Sequence, residues 1–286
     1  MKKEYLMLAG LVFADCLSGA ATLIAGAYRI NLIMTEDFTR QMSRWDCVWA
    51  PHFVLLTFSS TAQVGMLLLI SVDRYIAISH PFKYSTFTRK YSLLMVGMCF
   101  GLAGVYTATM IAHVFFTIAN NTENSKKMVS ALCLMCDVDK VFNSYFYIRV
   151  ITASLSVIIY FNAWYIYRKY NREMVSVEGF LFTARRLQQF QCRITTTVGI
   201  CALFTFGLYI LPNCLIFLAN QMQSSTDFVA PVGWLINCCN FVVNVFVYSI
   251  RHQDIRDGLK LLFTGRELMI GQSRRISAET AVIMIS

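Results

Sequence analysis

The chain has 286 residues, of which 57% are hydrophobic and only 14% charged, with a formal net charge of +9. Soluble domains carry roughly 25% charged residues, so this composition excludes a soluble globular enzyme and makes lipid the surrounding solvent. The basic balance follows from membrane orientation, argued next, and gives no reason to invoke nucleic acid as a partner.

Apolar runs of about 20 residues read as membrane spans. Six occur, near residues 5–28, 48–72, 92–118, 142–167, 194–220 and 228–250. At a rise of ~1.5 Å per residue each reaches across a hydrocarbon core of about 30 Å, and a helix satisfies its own backbone there. The spacers are mostly short and polar, too short for an independent soluble domain. The fold class is therefore an all-α membrane protein, a helical bundle over residues 1–263. Residues 251–263 read as a short amphipathic surface helix, and residues 264–286 as a cytosolic tail.

Orientation follows from the cations. With Met1 to Lys3 cytosolic, the inner side collects 18 of the 25 Lys and Arg, including Arg74, Lys83, Arg89, Lys90 and the loop from Arg168 to Arg193. Seven fall outside: Arg29, Arg40, Arg44, Lys126, Lys127, Lys140 and Arg149. This is the positive-inside pattern, and the pI near 9.1 also favours anionic lipid heads. Asn120 then opens an outside glycosylation sequon, Asn120-Asn121-Thr122. Of the ten cysteines, Cys47, Cys133 and Cys136 face the oxidising side. A bridge from Cys47 to either Cys133 or Cys136 ties the long outer loop to the top of the second run. The pair Cys133 and Cys136 forms C-x-x-C, without the second pair or His cluster of a zinc site. The remaining seven read as small apolar residues.

Four stretches carry chemistry. Leu8 to Asp15 ends in a carboxylate deep in an apolar run, a functional candidate by default. Asp73-Arg74-Tyr75 opens the stretch running to Pro81-Phe82-Lys83-Tyr84, an adjacent acid and base at the inner membrane edge. Phe206 to Pro212 places a kinking proline in the fifth run. Asn244 to Tyr248 puts an amide and a phenol near the end of the sixth.

In this order the four stretches resemble the L-A-x-A-D, D-R-Y-x-A-I-x-x-P-x-x-Y, F-x-x-C-W-x-P and N-P-x-x-Y signatures of rhodopsin-like G-protein-coupled receptors. Tyr209 and Ile210 replace the cysteine and tryptophan of the third signature, and Val245 the proline of the fourth. The resemblance covers six of that family's seven helices, from the first cytosolic loop to the tail, the first helix being absent. These departures, with a missing tryptophan in residues 92–118, resemble the Srsx group of nematode serpentine chemoreceptors.

The resemblance implies a multi-pass plasma-membrane receptor that binds a small-molecule or peptide ligand outside and a heterotrimeric G protein inside. Its switch residues are then Asp73, Arg74, Tyr75, Tyr160, Pro212, Asn244 and Tyr248, with the loop from Arg168 to Arg193 completing the docking face. Asp15, Asn240 and Asn244 are placed to hold a sodium ion, although Gln63 stands where the family has a serine, and a water-filled polar network is the alternative. The candidate ligand pocket is Leu56, Ser60, Tyr147, Asn213, Phe217 and Trp234. Leu56 stands where amine receptors carry an aspartate and Cys238 where visual pigments carry a lysine, so an amine and a retinal Schiff base are disfavoured. Arg149 either pairs an anionic ligand or snorkels to the interface. His52 reads as a lone histidine. Ser277, in Arg274-Arg275-Ile276-Ser277, fits a basophilic kinase, with unused sequence as its alternative. No catalytic motif and no cofactor are expected. Two competing readings are a six-span transporter or channel-like protein with Asp15 on the path, and a truncated, non-signalling receptor isoform.

Overall fold

The computed structural model describes residues 3–36, 41–120, 129–130, 141–174, 196–197, 199–221 and 229–251. Two units are resolved, Met1–Asn244 and Val245–Ser286. The account below concerns the first, and of the second only backbone as far as Arg251. Apart from Arg251, the expected surface helix, the tail and Ser277 lie outside the described residues, as do Cys133 and Cys136.

The elements are α1 (Lys3–Met34), β1 (Gln41–Met42), α2 (Arg44–Val48), α3 (Pro51–Ser79), α4 (Pro81–Thr86), α5 (Arg89–Asn120), β2 (Val129–Ser130) and α6 (Val141–Met174). A π-helical turn, Phe206–Ile210, then leads into α7 (Leu211–Gln221), and α8 (Val229–Arg251) follows. Among the described residues five helical stretches are long and apolar enough to cross a membrane: Tyr5–Met34, His52–Ser79, Arg89–Phe116, Tyr147–Lys169 and Gly199–Ile216. In α8 the apolar stretch Leu235–Asn244 is shorter, set within a helix of 23 residues. The helices outrun the apolar runs. α6 continues through Arg168, Lys169 and Arg172 to Met174, because long polar side chains suit a helix and reach the interface while their stems stay in lipid.

The packing is that of a bundle whose outer solvent is apolar. Leu23, Ile30, Leu94, Leu102, Val105, Phe116, Ile151, Leu203 and Leu235 point outward. The interior is lined by small and polar residues: Ala14, Ala62 and Ala103 pack together under Phe58 and Phe100, and Ser18, Ser59, Ser71 and Ser156 are fully buried. Lipid tails give no hydrophobic drive between helices, so close backbone approach and interhelical hydrogen bonds hold them together. Ser71 and Ser156 make one such bond, Oγ to Oγ at 3.1 Å, joining α3 to α6.

α1 and α3 run antiparallel in a steady register. A Cβ at Gly10 would meet the Met66 methyl at 2.9 Å, Asp15 meets Gln63, and Tyr28 stacks near His52. These three contacts mark the inner, middle and outer levels of the pair. Outside the spans, β1 pairs with β2, Gln41 opposite Ser130 and Met42 opposite Val129. That pairing brings the segment before Cys47 beside the segment before Cys133. Cys47 is disulfide-bonded, with its partner outside the described residues.

Candidate functional sites

The inner site begins with a helix break. His80 sits at φ −133° and ψ 62°, because Pro81 disfavours helical backbone at the residue before it, and its N–H still closes α3 on the Ile76 carbonyl. Pro81 starts α4 at its first position, where no N–H is needed. The chain therefore turns, and α4 carries Tyr84 back under the end of α3. The Tyr84 hydroxyl donates to Asp73 Oδ2 at 3.1 Å and accepts from Arg74 Nη2 at 2.7 Å. Arg74 also donates to Asp73 through Nε at 3.1 Å and through Nη2. Asp73, Arg74 and Tyr84 are 3%, 1% and 6% exposed. A buried ion pair is stable only when its remaining donors and acceptors are satisfied, and Tyr84 does that for both partners. Tyr84 was legible only as the last letter of the motif; nothing in the spacing said that the break at His80–Pro81 folds it back. Tyr75 is exposed.

Tyr160 is buried on α6, and its ring lies so close to Gly199 that a methyl there would overlap it. Gly199 thus acts as the seat of the Tyr160 hydroxyl. Tyr248 lies on α8, in the second unit, and its side chain is outside the described residues.

About 16 Å along α3 from His52, the middle site forms around Asp15. Gln63 Nε2 donates to Asp15 Oδ1 at 2.5 Å, and Asn244 also hydrogen-bonds the carboxyl. Asp15 Oδ2, Gln63 Oε1, Asn240 Oδ1 and Asn244 Oδ1 are buried and have no protein partner. Asn240 is 0% exposed. Buried polar atoms are normally satisfied, and this cluster of carboxylate and amide oxygens is a donor set that suits a hard cation. The residues present therefore fit the sodium ion that the resemblance implies.

Proline shapes the outer site. Pro212 is buried and cannot donate to the carbonyl one turn earlier. The helix accommodates it by widening over Phe206–Ile210, where the Leu211 N–H reaches the Phe206 carbonyl. Such π turns recur at functional positions. Asn213 donates through Nδ2 to the Tyr209 carbonyl at 2.6 Å and to Asn237 Oδ1 on α8 at 3.3 Å, so the widened turn is tied across to the next helix. Arg149 places its guanidinium 4.7 Å from the Tyr209 ring centre. Arg149 thus reaches inward onto an aromatic face of the π turn instead of out to the interface.

Of the candidate ligand residues, Leu56 and Asn213 are half-buried. Ser60 is buried with its hydroxyl donating to the Leu56 carbonyl at 2.5 Å. Tyr147 is 45% exposed. Phe217, Trp234 and the glycosylation candidate Asn120 have side chains outside the described residues. His52 is buried and packs its ring 5.0 Å from that of Tyr28. The meeting of Tyr28 with His52 was not legible, since it depends on the register of α1 against α3.

Comparison with known proteins identifies the framework that these sites occupy. Residues 2–248 match the family model of the seven-transmembrane receptors of the rhodopsin family. The chain belongs to that family. Human olfactory receptor 1S2 is 25% identical over 266 residues, covering 90% of this chain and 75% of the relative. Rat olfactory receptor 867 is 21% identical, covering 91% of this chain and 79% of the relative. Mouse trace amine-associated receptor 9 is 25% identical, with coverages of 72% and 61%. This rhodopsin-family receptor is accordingly a multi-pass plasma-membrane signalling protein, and its apolar helices are the spans of a receptor bundle.

Proposed function

We propose that this receptor binds a small molecule at the outer ends of its helices and answers by releasing the Asp73–Arg74–Tyr84 cluster, freeing Arg74 to engage a heterotrimeric G protein. The observation that carries this is the inner cluster itself: an arginine 1% exposed, neutralised by its neighbour and capped by a tyrosine from another helix. That arrangement hides a cation at the face where a G protein docks. Ligand and G protein then favour the same helix arrangement, which makes their coupling reciprocal. Pro212 and the π turn are the hinge, Tyr160 and Tyr248 the phenols that replace Tyr84 as partners of Arg74, and the Arg168 to Arg193 loop the rest of the docking face.

A chemosensory role is supported by relatives named as olfactory receptors, and the sequence departures favour a nematode chemoreceptor of the Srsx type. Other relatives are named for trace amines and for 5-hydroxytryptamine. Leu56, standing where amine receptors carry an acid, argues against an amine here. Asp15, Asn240 and Asn244 would hold a sodium ion whose charge neutralises the Asp15 carboxylate in the resting bundle. Cys47 pairs with Cys133 or Cys136, Asn120 carries glycan, and Ser277 accepts phosphate.

The test is basal signalling of the full chain in cells that report on each of the main Gα classes. Asp73→Asn, which weakens the hold on Arg74 without changing shape, is expected to raise basal output in one class at equal surface density. A flat response in every class, for both the wild type and Asp73→Asn, overturns the reading.

A further inference from the structure

We propose that Lys83 on α4 with Arg89 and Lys90 on α5 form a docking site for a phosphoinositide headgroup carrying several phosphates, and that the bound lipid fastens α4 where it seats Tyr84 on the Asp73–Arg74 pair. The inference goes beyond the receptor reading and does not depend on it.

α4 and α5 together contain no Asp or Glu, and their three cations, Lys83, Arg89 and Lys90, all stand at the inner end. All three are exposed. The nearest acid in sequence is Asp73, which is buried and held by Arg74 and Tyr84. A helix start favours negative charge, yet the first turn of α5 carries Arg89 and Lys90 and no acid. An anion that meets this potential has to come from outside the two helices.

Orientation across the membrane accounts for cations at this edge. It does not account for their coming from both sides of the α4–α5 connection, and the ring contacts give that arrangement a consequence. The Tyr84 and Phe87 rings lie 5.7 Å apart, and those of Phe87 and Tyr91 4.4 Å apart. Aromatic contacts thus run from α4 through the connection to α5, and Tyr84 bonds both Asp73 and Arg74. An anion gripped by Lys83 from one side and by Arg89 and Lys90 from the other holds α4 against α5, and with it the Tyr84 hydroxyl on the ion pair.

Location selects the partner. The membrane-crossing stretch begins at Arg89, and Leu93 and Leu94, one turn further into the membrane, are 50% and 62% exposed. A partner that covers this surface joins anionic groups to apolar chains, as a phospholipid does and a soluble acidic peptide does not. Basic segments beside a span attract such lipids, and a guanidinium binds phosphate through paired N–H donors. Three cations without an acid match a headgroup with several phosphates better than one with a single charge.

The test uses the purified full chain in nanodiscs of phosphatidylcholine alone, with phosphatidylserine, or with phosphatidylinositol bisphosphate, the last two at equal total lipid charge. The bisphosphate is expected to raise the thermal midpoint by about 3 °C over phosphatidylcholine, and phosphatidylserine by much less. Backbone hydrogen exchange in α4 and its connection to α5 should slow about tenfold with the bisphosphate. Lys83→Gln, and separately Arg89→Gln combined with Lys90→Gln, should remove most of both effects; these side chains are exposed, so the variants fold. Lys169→Gln, an exposed inner cation on α6, should leave both effects in place. The proposal falls if the bisphosphate moves neither quantity, if phosphatidylserine does as much, or if Lys169→Gln removes the effects as fully as Lys83→Gln. A midpoint shift without slower exchange in α4 also overturns it, because the lipid would then not fasten Tyr84. So does a soluble polyglutamate peptide that protects α4 as well as the bisphosphate, since the face would then be a protein dock.

Discussion

The two ends of the bundle accommodate an intramembrane arginine in different ways. At the inner end Arg74 has its counter-ion one residue away and a tyrosine to satisfy what remains. At the outer end Arg149 lies over the ring of Tyr209, on the π turn before Pro212. A charge matched by its sequence neighbour locks a helix end, whereas a charge laid on an aromatic face ties its helix to the turn that presents the ring. The difference lies in whether the complementary group is the next residue in sequence or comes from another helix.

The comparison breaks most visibly at the lock. Replacing Arg74 with Ala leaves a buried carboxylate with only Tyr84 to hold it, a loss of about 3–5 kcal/mol; surface density and thermal midpoint should both drop sharply, and signalling should vanish at matched density. Gly199→Ala is next. Its methyl overlaps the Tyr160 ring, an overpacking worth about 1–3 kcal/mol, and a lower midpoint together with raised basal output would show that the ring has been driven off its seat. Gln63→Leu removes the donor to Asp15 and should cost about 1–3 kcal/mol, read as a lower midpoint in thermal unfolding. Exchanging sodium for choline should lower the midpoint of the wild type and leave Asp15→Asn unmoved, which tests whether the Asp15 cluster holds a cation. The smallest effect is expected for Tyr84→Phe, which deletes the hydroxyl and keeps the ring. Loss of its bonds to Arg74 and Asp73 should be seen as a rise in basal signalling smaller than that of Asp73→Asn.

Much of this receptor was legible in its residues. Apolar runs of about 20 residues dictate membrane helices, since no other element spanning lipid alone satisfies its own backbone. The cation count orients them, and the ordered motifs from Asp15 through Asp73-Arg74-Tyr75 to Pro212 and Tyr248 name the family. Those features are local in sequence: each is set by neighbours within a few helical turns. Where helices end was read less well, because polar residues such as Arg168 and Lys169 continue α6 beyond its apolar run.

Contacts between distant segments belong to tertiary structure alone. Tyr84 reaches Asp73 because Pro81 bends the chain between them, and His52 meets Tyr28 because α1 and α3 pack antiparallel in one register. The inward turn of Arg149 onto Tyr209 depends on a π turn whose cause, Pro212, lies three residues beyond the ring that it presents. Periodicity and composition say which face of a helix is apolar. They carry no information on the rotation and depth at which one helix lies against another, and it is these two quantities that decide which partner each charge finds.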